Sequence, residues 1–315
     1  MYTFIKHIFA LLLCLIGVFS LLNLLQSNFN LDPAQYKNQY STAINSLPKI
    51  DGIILGTSHA THSLRPTLLD ESGITFYNFA LNGSNPEFNY KWYNEIYLLN
   101  RKKPNYCLFA VDFFMFDEGW LWRRFEQDAE YFPSDFFLKE LIKFKSNTKD
   151  LIVNRFPFIK YRSQIKSSLK LNHSNLSFNE ENYDRGYISF SSPFDSAHYK
   201  PKIKFDIDST QVKYFKALVK EMLNDDVNIL FVMTPEYGLN VNDYQKMESL
   251  KIIEQVAHEH DIQFLNYNTE LRSNLNQDIK CFSDWGHMNH FGAEVFSKKI
   301  AKRLKARTHN NVYKK

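Results

Sequence analysis

The sequence predicts an α/β fold in which a mostly parallel five-stranded sheet lies between two layers of helices, preceded by one transmembrane helix. Three observations support this prediction. Short apolar runs of strand length alternate with longer segments whose apolar residues recur at helical spacing. Hydrophobic residues make up 44% of the 315 residues, which is enough for a large core. An uncharged apolar run lies near the N-terminus.

The N-terminal apolar run covers residues 8–25 and contains no charged side chain. This length can span a bilayer with little tilt. Lys6 precedes the run, and the next lysine or arginine is Lys37. The positive charge ahead of the run therefore predicts a cytoplasmic N-terminus and an extracytoplasmic remainder. A cleaved signal peptide is the alternative, but no convincing cleavage site follows the run. We expect an uncleaved signal anchor over residues 1–29 and a stalk over residues 30–50.

The predicted strands and helices follow in alternation. Short apolar runs predict strands at residues 52–55, 76–79, 106–111, 227–233 and 263–267. Apolar residues at helical spacing predict helices over residues 86–99, 210–223, 244–258 and 293–304. Such alternation implies a parallel sheet with helices on both faces. Five strands suit the flavodoxin-like order 2-1-3-4-5, which places a functional site outside the carboxyl ends of the strands. This α/β domain is predicted to cover residues 51–310.

One long segment, at about residues 113–205, interrupts the alternation. It begins with clustered aromatic residues, which are Phe113, Phe114, Phe116, Trp120, Trp122 and Phe125. A basic stretch follows between Lys139 and Lys170. An insertion of this length between two strands often serves as a lid or a partner surface, and a basic face could rest on anionic lipid or an acidic glycan. A solvated helical subdomain is the alternative interpretation.

Composition excludes several classes of function. The net charge of +4 is too small to indicate nucleic-acid binding, and no nucleic-acid motif is present. The three cysteines, Cys14, Cys107 and Cys281, have no CxxC or metal-ligand spacing. A disulfide between Cys107 and Cys281 is one possibility, but buried free thiols are the preferred prediction. We expect no metal and no cofactor.

Two short segments near the ends of the α/β domain carry the chemistry. Ser58 follows the first strand in the run Ile-Leu-Gly-Thr-Ser, which presents it at the carboxyl edge of the sheet. Asp284 stands three residues before His287, just ahead of the last helix. A histidine can take the proton of a serine hydroxyl, and an aspartate can hold the tautomer of the histidine. Together these residues suggest serine-ester chemistry, although a serine at a strand end more often caps a helix.

The order of these segments resembles the SGNH (GDSL-type) hydrolases. The run ending in Ser58 is similar to the first block of that family, with Thr57 where aspartate is usual, and residues 78–84 are similar to the second block. Asp284-x-x-His287 is similar to the last block. Its continuation through Gly292-Ala293 resembles membrane-anchored members that act in D-alanyl-lipoteichoic acid synthesis and alginate acetylation. The resemblance covers residues 53–112 and 205–305.

The resemblance implies specific roles. Ser58 would be the nucleophile, His287 the general base and then acid, and Asp284 the residue that orients His287. The oxyanion hole would use backbone N–H groups of Ser58 and Gly83, together with Asn82.

The third block of the family departs from this pattern. The family has an asparagine that completes the oxyanion hole, and here the matching position holds Asp112. An ionised Asp112 pointing into the site would repel an oxyanion and lower esterase activity. Either Asn82 or Asn85 would then substitute for the missing asparagine, or the hole would have two donors.

The other polar residues near these blocks have ordinary interpretations. His59 and His62 follow Ser58, and His59 is predicted at a helix start near solvent. His290 lies three residues after His287, but the ligand set for a metal would be incomplete. Glu236 follows the fourth strand and is predicted to be a solvated loop residue.

Two functions are consistent with the sequence. The first is an extracytoplasmic, membrane-anchored serine esterase or O-acyltransferase, with acetyl as the expected acyl group and a cell-surface polysaccharide as the expected substrate. The second is a non-catalytic partner with the same fold that docks a membrane-bound O-acyltransferase or a glycan. The missing asparagine favours the second, whereas the intact Ser58, Asp284 and His287 favour the first.

Overall fold

The computed structural model describes residues 49–117, 183–190, 193–197, 205–244 and 247–312, with isolated positions between residues 6 and 21. The chain divides into two units. One comprises Met1–Lys37 and Glu126–Phe178, and the other comprises Asn38–Phe125 and Asn179–Lys315. The architecture described below is that of the second unit.

Seven strands and eight α-helices make up the described fold. The strands are β1 (Gly52–Leu55), β2 (Phe76–Asn78), β3 (Tyr106–Ala110), β4 (Tyr183–Asp184), β5 (Tyr187–Ile188), β6 (Asn228–Met233) and β7 (Gln263–Asn266). The helices are α1 (Ser58–Ser63), α2 (Pro66–Leu69), α3 (Pro86–Trp92), α4 (Leu98–Asn100), α5 (Ser209–Asn224), α6 (Val241–Tyr244), α7 (Glu248–Glu259) and α8 (His290–Val312). A π-helical segment, Tyr93–Tyr97, joins α3 to α4.

The central sheet contains β1, β2, β3, β6 and β7, all parallel, in the order β2-β1-β3-β6-β7. Taken in chain order, this is the predicted order 2-1-3-4-5, so the predicted parallel α/β sheet is confirmed. Parallel strands direct all their carboxyl ends to one edge. The residues that follow β1, β3 and β6 therefore meet at that edge.

The sheet has an apolar core on both faces, because buried parallel strands are apolar throughout. On one face Ile54, Leu108 and Leu230 share a cluster with Phe296 and Ile300 of α8. On the other face, Phe109 and Phe231 contact Phe215 of α5. The free thiols of Cys107 and Cys281 are buried, as predicted.

The end of β1 turns sharply into α1, and Gly56 makes this turn possible. Its φ of 140° is a conformation that side chains rarely allow, and a Cβ there would lie 2.6 Å from the carbonyl oxygen of Ala110. The Gly56 carbonyl accepts hydrogen bonds from the backbone N–H of Leu81 (3.0 Å) and from Ser84 Oγ (2.8 Å). Thr57 then caps α1, so Ser58 is the first residue of that helix.

A hairpin of β4 and β5 lies within the predicted insertion, for which the sequence predicts no strand. The carbonyl of Arg185 at its tip accepts a hydrogen bond from the backbone N–H of Asn78 at 2.8 Å. The carboxylate of Asp184 accepts from the backbone N–H of Thr67 at 3.1 Å. The hairpin is therefore attached to the end of β2 and to α2.

The aromatic start of the insertion is part of the core in the portion that the structure describes. Phe113, Phe114 and Phe116 are all buried. Because these side chains are buried, they pack in the core and do not form a binding surface. The remaining aromatic residues and the basic stretch of Lys139–Lys170 lie outside the described residues.

Most of the predicted anchor and stalk, residues 1–50, lies outside the described residues. Among the residues that are described, no helix is both long enough and apolar enough to cross a bilayer. The anchor, the stalk and the proposed domain boundaries stay predictions.

The start of α8 is fixed by Asn289 and Gly292. The Asn289 side-chain oxygen accepts hydrogen bonds from the backbone N–H groups of Phe291 (3.1 Å) and Gly292 (3.2 Å). A Cβ on Gly292 would lie 2.1 Å from the carbonyl oxygen of Cys281. Only glycine allows the helix to approach the preceding segment this closely.

We predict that Gly292→Ala destabilises the fold by about 2 kcal/mol or more, because a methyl group there must displace backbone. Denaturant unfolding measures the change. Val295→Ala, at a position that is 43% exposed on the same helix, is the matched control and should change stability by less than about 0.5 kcal/mol. An unchanged midpoint for Gly292→Ala would contradict the packing described here.

Candidate active site

Ser58, His287 and Asp284 form one hydrogen-bonded chain at the carboxyl edge of the sheet. Ser58 Oγ lies 2.8 Å from His287 Nε2. His287 Nδ1 lies 2.8 Å from Asp284 Oδ2 and 2.9 Å from Oδ1. Because the ring nitrogen that faces a carboxylate carries the proton, Nε2 is left to accept from the serine hydroxyl. The arrangement can transfer the serine proton to His287.

The three-residue spacing of Asp284 and His287 works because one carboxylate holds both the turn and the ring. Asp284 Oδ1 also accepts hydrogen bonds from the backbone N–H groups of Gly286 (2.9 Å) and His287 (2.8 Å). The backbone N–H of Ser283 donates to the carbonyl of His287 at 2.8 Å and closes the turn. The orientation of the imidazole is thus set by the local sequence.

Packing of α8 on α1 sets the distance between the two segments. The hydroxyl of Ser297 on α8 donates to the carbonyl of Ser63 at 3.1 Å and accepts from the backbone N–H of Arg65 at 2.9 Å. Both contacts are buried or partly buried. They join the end of α1 to the helix that follows His287, and so hold Ser58 opposite the imidazole.

The environment favours an ionised Asp284 and a neutral His287. Burial opposes ionisation of Asp284, but the hydrogen bonds from the His287 ring and from the backbone N–H groups outweigh it and lower the pKa of Asp284. Burial lowers the pKa of His287, Asp284 raises it, and the charge of His59 lowers it, with a net decrease. A neutral imidazole is the form that a general base needs.

A second buried group of titratable residues includes His59, which follows Ser58 in the chain. His59 Nδ1 lies 3.1 Å from Asp112 Oδ1 and 3.8 Å from Glu236 Oε1. The hydroxyl of Thr57 donates to Asp112 Oδ2. His59, Asp112 and Glu236 are each 1% exposed. The His59 ring stands edge-on to the His287 ring, with centroids 5.0 Å apart.

This second group corrects three expectations. His59 and Glu236 were expected near solvent, and both are buried. Asp112 was expected to direct an uncompensated charge into the oxyanion hole, but its two oxygens contact Thr57 and His59. Asp112 and Glu236 each follow a parallel strand, so their position at the carboxyl edge was the available signal.

Burial and the charges of neighbouring groups strongly shift the pKa values of His59 and Glu236. Burial lowers the pKa of His59, but Asp112 and Glu236 outweigh it and raise that pKa to about 9. Burial raises the pKa of Glu236 to about 8, against the opposing effect of His59. At neutral pH both His59 and Glu236 therefore carry a proton.

Two of the predicted oxyanion residues, Asn82 and Gly83, lie in a turn that hydrogen-bonds to Gly56 after β1. The backbone N–H of Ser84 donates to the carbonyl of Leu81 at 3.0 Å, with Asn82 and Gly83 between them. Gly83 has φ 76°, as the third position of a type II turn requires. The side-chain oxygen of Asn85, the alternative donor, caps α3 by accepting from the backbone N–H of Phe88. The oxyanion roles of Ser58, Gly83 and Asn82 stay predictions.

The remaining histidines near the site have separate environments. His62 is buried, its Nδ1 lies 2.7 Å from the carbonyl oxygen of Ile188, and its ring stacks on Phe190 at 3.9 Å. Burial lowers the pKa of His62 to about 3. The Phe190 ring also meets the His287 ring edge-on, at 5.7 Å. His290 is exposed at the start of α8. No group of His, Cys, Asp or Glu among the described residues could hold a metal.

Comparison with known proteins gives similarity in structure only. No family model and no curated protein matches the chain. The chain is similar to the acetyl xylan esterase AlAXEase, with 12% identity over 81% of this chain and 98% of that one and a TM-score of 0.41. It is also similar to the lipase/acylhydrolase from Enterococcus faecalis, with 11% identity over 82% and 97% and a TM-score of 0.38. A GDSL-like lipase from Bacteroides thetaiotaomicron VPI-5482 matches with 9% identity over 87% and 98% and a TM-score of 0.40. Similarity of this degree does not identify the family or the activity of the chain.

The raised pKa of Glu236 predicts how stability depends on pH. The unfolded chain loses this proton near about pH 4.3, whereas the folded protein keeps it to about pH 8. The folded state therefore binds the extra proton, and stability should fall as pH rises between these values. Glu236→Gln removes the titration, so its free energy of unfolding should fall less between about pH 5 and 8 than that of the wild type.

Denaturant unfolding at several pH values measures this slope. Glu294→Gln is the matched control, because Glu294 is an exposed glutamate that pairs with Lys298, and it should keep the wild-type slope. If Glu236→Gln also keeps that slope, Glu236 does not hold a proton in the folded protein.

Proposed function

We propose that this protein is a serine-dependent ester hydrolase or O-acyltransferase. The observation that carries the proposal is the continuous chain of hydrogen bonds from Ser58 Oγ through His287 to Asp284. A serine hydroxyl bonded to a neutral imidazole, which is bonded in turn to a buried carboxylate, is the arrangement that activates a serine for acyl transfer.

In the proposed reaction, His287 Nε2 takes the proton of Ser58 Oγ as the oxygen attacks an acyl carbonyl. The tetrahedral intermediate places its negative charge on the former carbonyl oxygen, where backbone N–H groups of Ser58 and Gly83 and the side chain of Asn82 are the proposed donors. The protonated His287 then gives its proton to the departing alcohol, which leaves an acyl-serine. Asp284 stabilises the transient imidazolium throughout.

The second half of the reaction decides between hydrolysis and transfer. His287 takes the proton of a water molecule or of a sugar hydroxyl as its oxygen attacks the acyl carbon. The bond between that carbon and Ser58 Oγ then breaks, and His287 returns the proton to Ser58 Oγ. Water releases a carboxylic acid, whereas a sugar hydroxyl receives the acyl group. We propose acetyl as the acyl group and an extracytoplasmic cell-surface polysaccharide as the substrate. The resemblance of residues 287–293 to membrane-anchored proteins of alginate acetylation supports the acetyl group and the polysaccharide. The N-terminal apolar run with its preceding lysine supports the extracytoplasmic location.

The non-catalytic alternative has less support than it had from sequence. Its main argument was an ionised Asp112 in the place of an oxyanion asparagine. The carboxylate instead contacts Thr57 and His59 within the protein, so its charge is compensated. A docking role toward a membrane-bound O-acyltransferase is compatible with a catalytic Ser58 and stays a proposal.

We predict that a fluorophosphonate probe labels Ser58 and that the protein hydrolyses an aryl acetate. Ser58→Ala should abolish labelling and lower kcat by about 10³-fold or more, because the nucleophile is lost. Ser63→Ala, at another serine of α1, is the control for general effects on the helix and should keep probe labelling. Equal labelling of wild type and Ser58→Ala would refute the proposed nucleophile.

We also predict that the mature protein keeps its N-terminal apolar run, because no convincing cleavage site follows it. Mass spectrometry of protein recovered from membranes should find a peptide that includes Lys6. A new N-terminus between about residues 20 and 32 would instead show signal-peptide cleavage.

A further inference from the structure

Asp112 contacts the residues on both sides of the proposed nucleophile. Its Oδ2 accepts from the hydroxyl of Thr57, and its Oδ1 lies 3.1 Å from His59 Nδ1. Thr57 is also the N-cap of α1, since its side-chain oxygen accepts from the backbone N–H of His59 at 3.3 Å. One carboxylate at the end of β3 therefore holds the first turn of α1, in which Ser58 lies.

His59 also contributes to the electrostatic environment of His287. The titratable and polar groups around the His59 and His287 rings come from four segments. They are Ser58, His59 and His62 of α1, Asp112 after β3, Glu236 after β6, and Asp284 on its own turn. His59 is the group in this set that Asp112 holds as a cation, and its ring centroid is 5.0 Å from that of His287.

We propose that Asp112 and His59 form a positioning pair for the proposed serine chemistry. The carboxylate fixes the turn that carries Ser58, and the imidazolium, edge-on to His287, keeps His287 in its neutral, proton-accepting form. The proposal rests on the function proposed above, because it assigns to the pair a role in activating Ser58. Neither residue is placed in contact with substrate, so both are positioning residues.

The direction of the effect follows from the charges. The charge of His59 lowers the pKa of His287 and the charge of Asp112 raises it, so the two charges oppose each other at His287. Replacing His59 alone leaves the Asp112 carboxylate uncompensated, and a nearby negative charge stabilises imidazolium. The pKa of His287 should then rise. Replacing both residues removes both charges together, and the pKa of His287 should return toward the wild-type value.

The test compares His59→Asn, Asp112→Asn and the double variant. Asparagine carries its amide nitrogen near the position of histidine Nδ1, so His59→Asn keeps a donor toward Asp112 but loses the charge. Ring NMR titration of the full-length protein follows His287 directly and needs no substrate. We expect His59→Asn to raise the pKa of His287 by about one pH unit, and the double variant to reverse most of that rise.

A matched control separates a local charge effect from a general one. His258→Asn changes an exposed histidine on α7 and should leave the pKa of His287 unchanged. The histidine ring resonance that disappears from the NMR spectrum of His59→Asn is that of His59. In the wild type this resonance should show a protonated ring up to about pH 9. Asp112→Asn should lower that value, because burial then acts on His59 without its carboxylate partner.

Kinetics give a second readout in any variant that hydrolyses an aryl acetate. The acid limb of kcat/KM should move to higher pH by about one unit in His59→Asn and back in the double variant. Asp112→Asn should lower kcat about tenfold with little change in KM, since Ser58 is less well held.

The outcomes separate this inference from the proposed function. An inactive wild type that resists the fluorophosphonate probe contradicts the proposed function, yet the NMR titration still tests the electrostatic pair. An active wild type in which His59→Asn leaves both the pKa of His287 and the acid limb unchanged overturns the inference alone. If His59→Asn fails to fold, Asp112→Asn tests the inference instead. The pair predicts that this substitution lowers the pKa of His59, and an unchanged pKa of His59 in the NMR titration would overturn the inference.

Discussion

The hydrogen bond between Ser58 Oγ and His287 Nε2, 2.8 Å long, depends on two segments that are 229 residues apart in the sequence. Its geometry requires that β1 end in a turn that exposes Ser58, which Gly56 allows. It also requires that α8 pack on α1, which the contacts of Ser297 fix. Two other features of the domain meet these two requirements. The parallel sheet carries the serine to its carboxyl edge, and the final helix returns the histidine to the same edge.

A second constraint is the burial of charge. Asp112, Glu236 and His59 are almost completely shielded from water, and an isolated charge in such a place costs several kcal/mol. The structure reduces this cost by pairing His59 with Asp112 and by keeping Glu236 protonated. Because the pair lies beside His287, the arrangement that limits the burial cost also affects the proposed general base. Stability and reactivity are thus linked at this edge of the sheet.

Much of the fold could be predicted because strand and helix signals are local. All five sheet strands and the helices over α5 and α8 have apolar patterns that the sequence displays directly. The hairpin of β4 and β5 could not be predicted, since each strand has only two residues. The two strands pair with each other, and the hairpin is held in place by contacts with β2 and α2. The site residues Ser58, Asp284 and His287 could be predicted from their positions and spacing in the sequence.

The buried environments of His59, Asp112 and Glu236 could not be predicted from the sequence in the same way. Burial depends on which loops meet, and a sequence does not show that a histidine next to the serine turns inward. Strand order alone would have placed Asp112 and Glu236 at the same edge as Ser58. The distances from His59 to Asp112 and Glu236 are known only from the structure.

The most direct test of the central claim is to trap the acyl-enzyme. The protein is incubated with an aryl acetate, quenched with acid and digested, and the peptides are analysed by mass spectrometry. The arrangement of Ser58, His287 and Asp284 predicts one added acetyl group on the peptide that contains Ser58. It also predicts that the modification disappears in Ser58→Ala and is strongly reduced in His287→Ala. Acetylation that is confined to other residues, or that is equal in wild type and His287→Ala, would contradict the account.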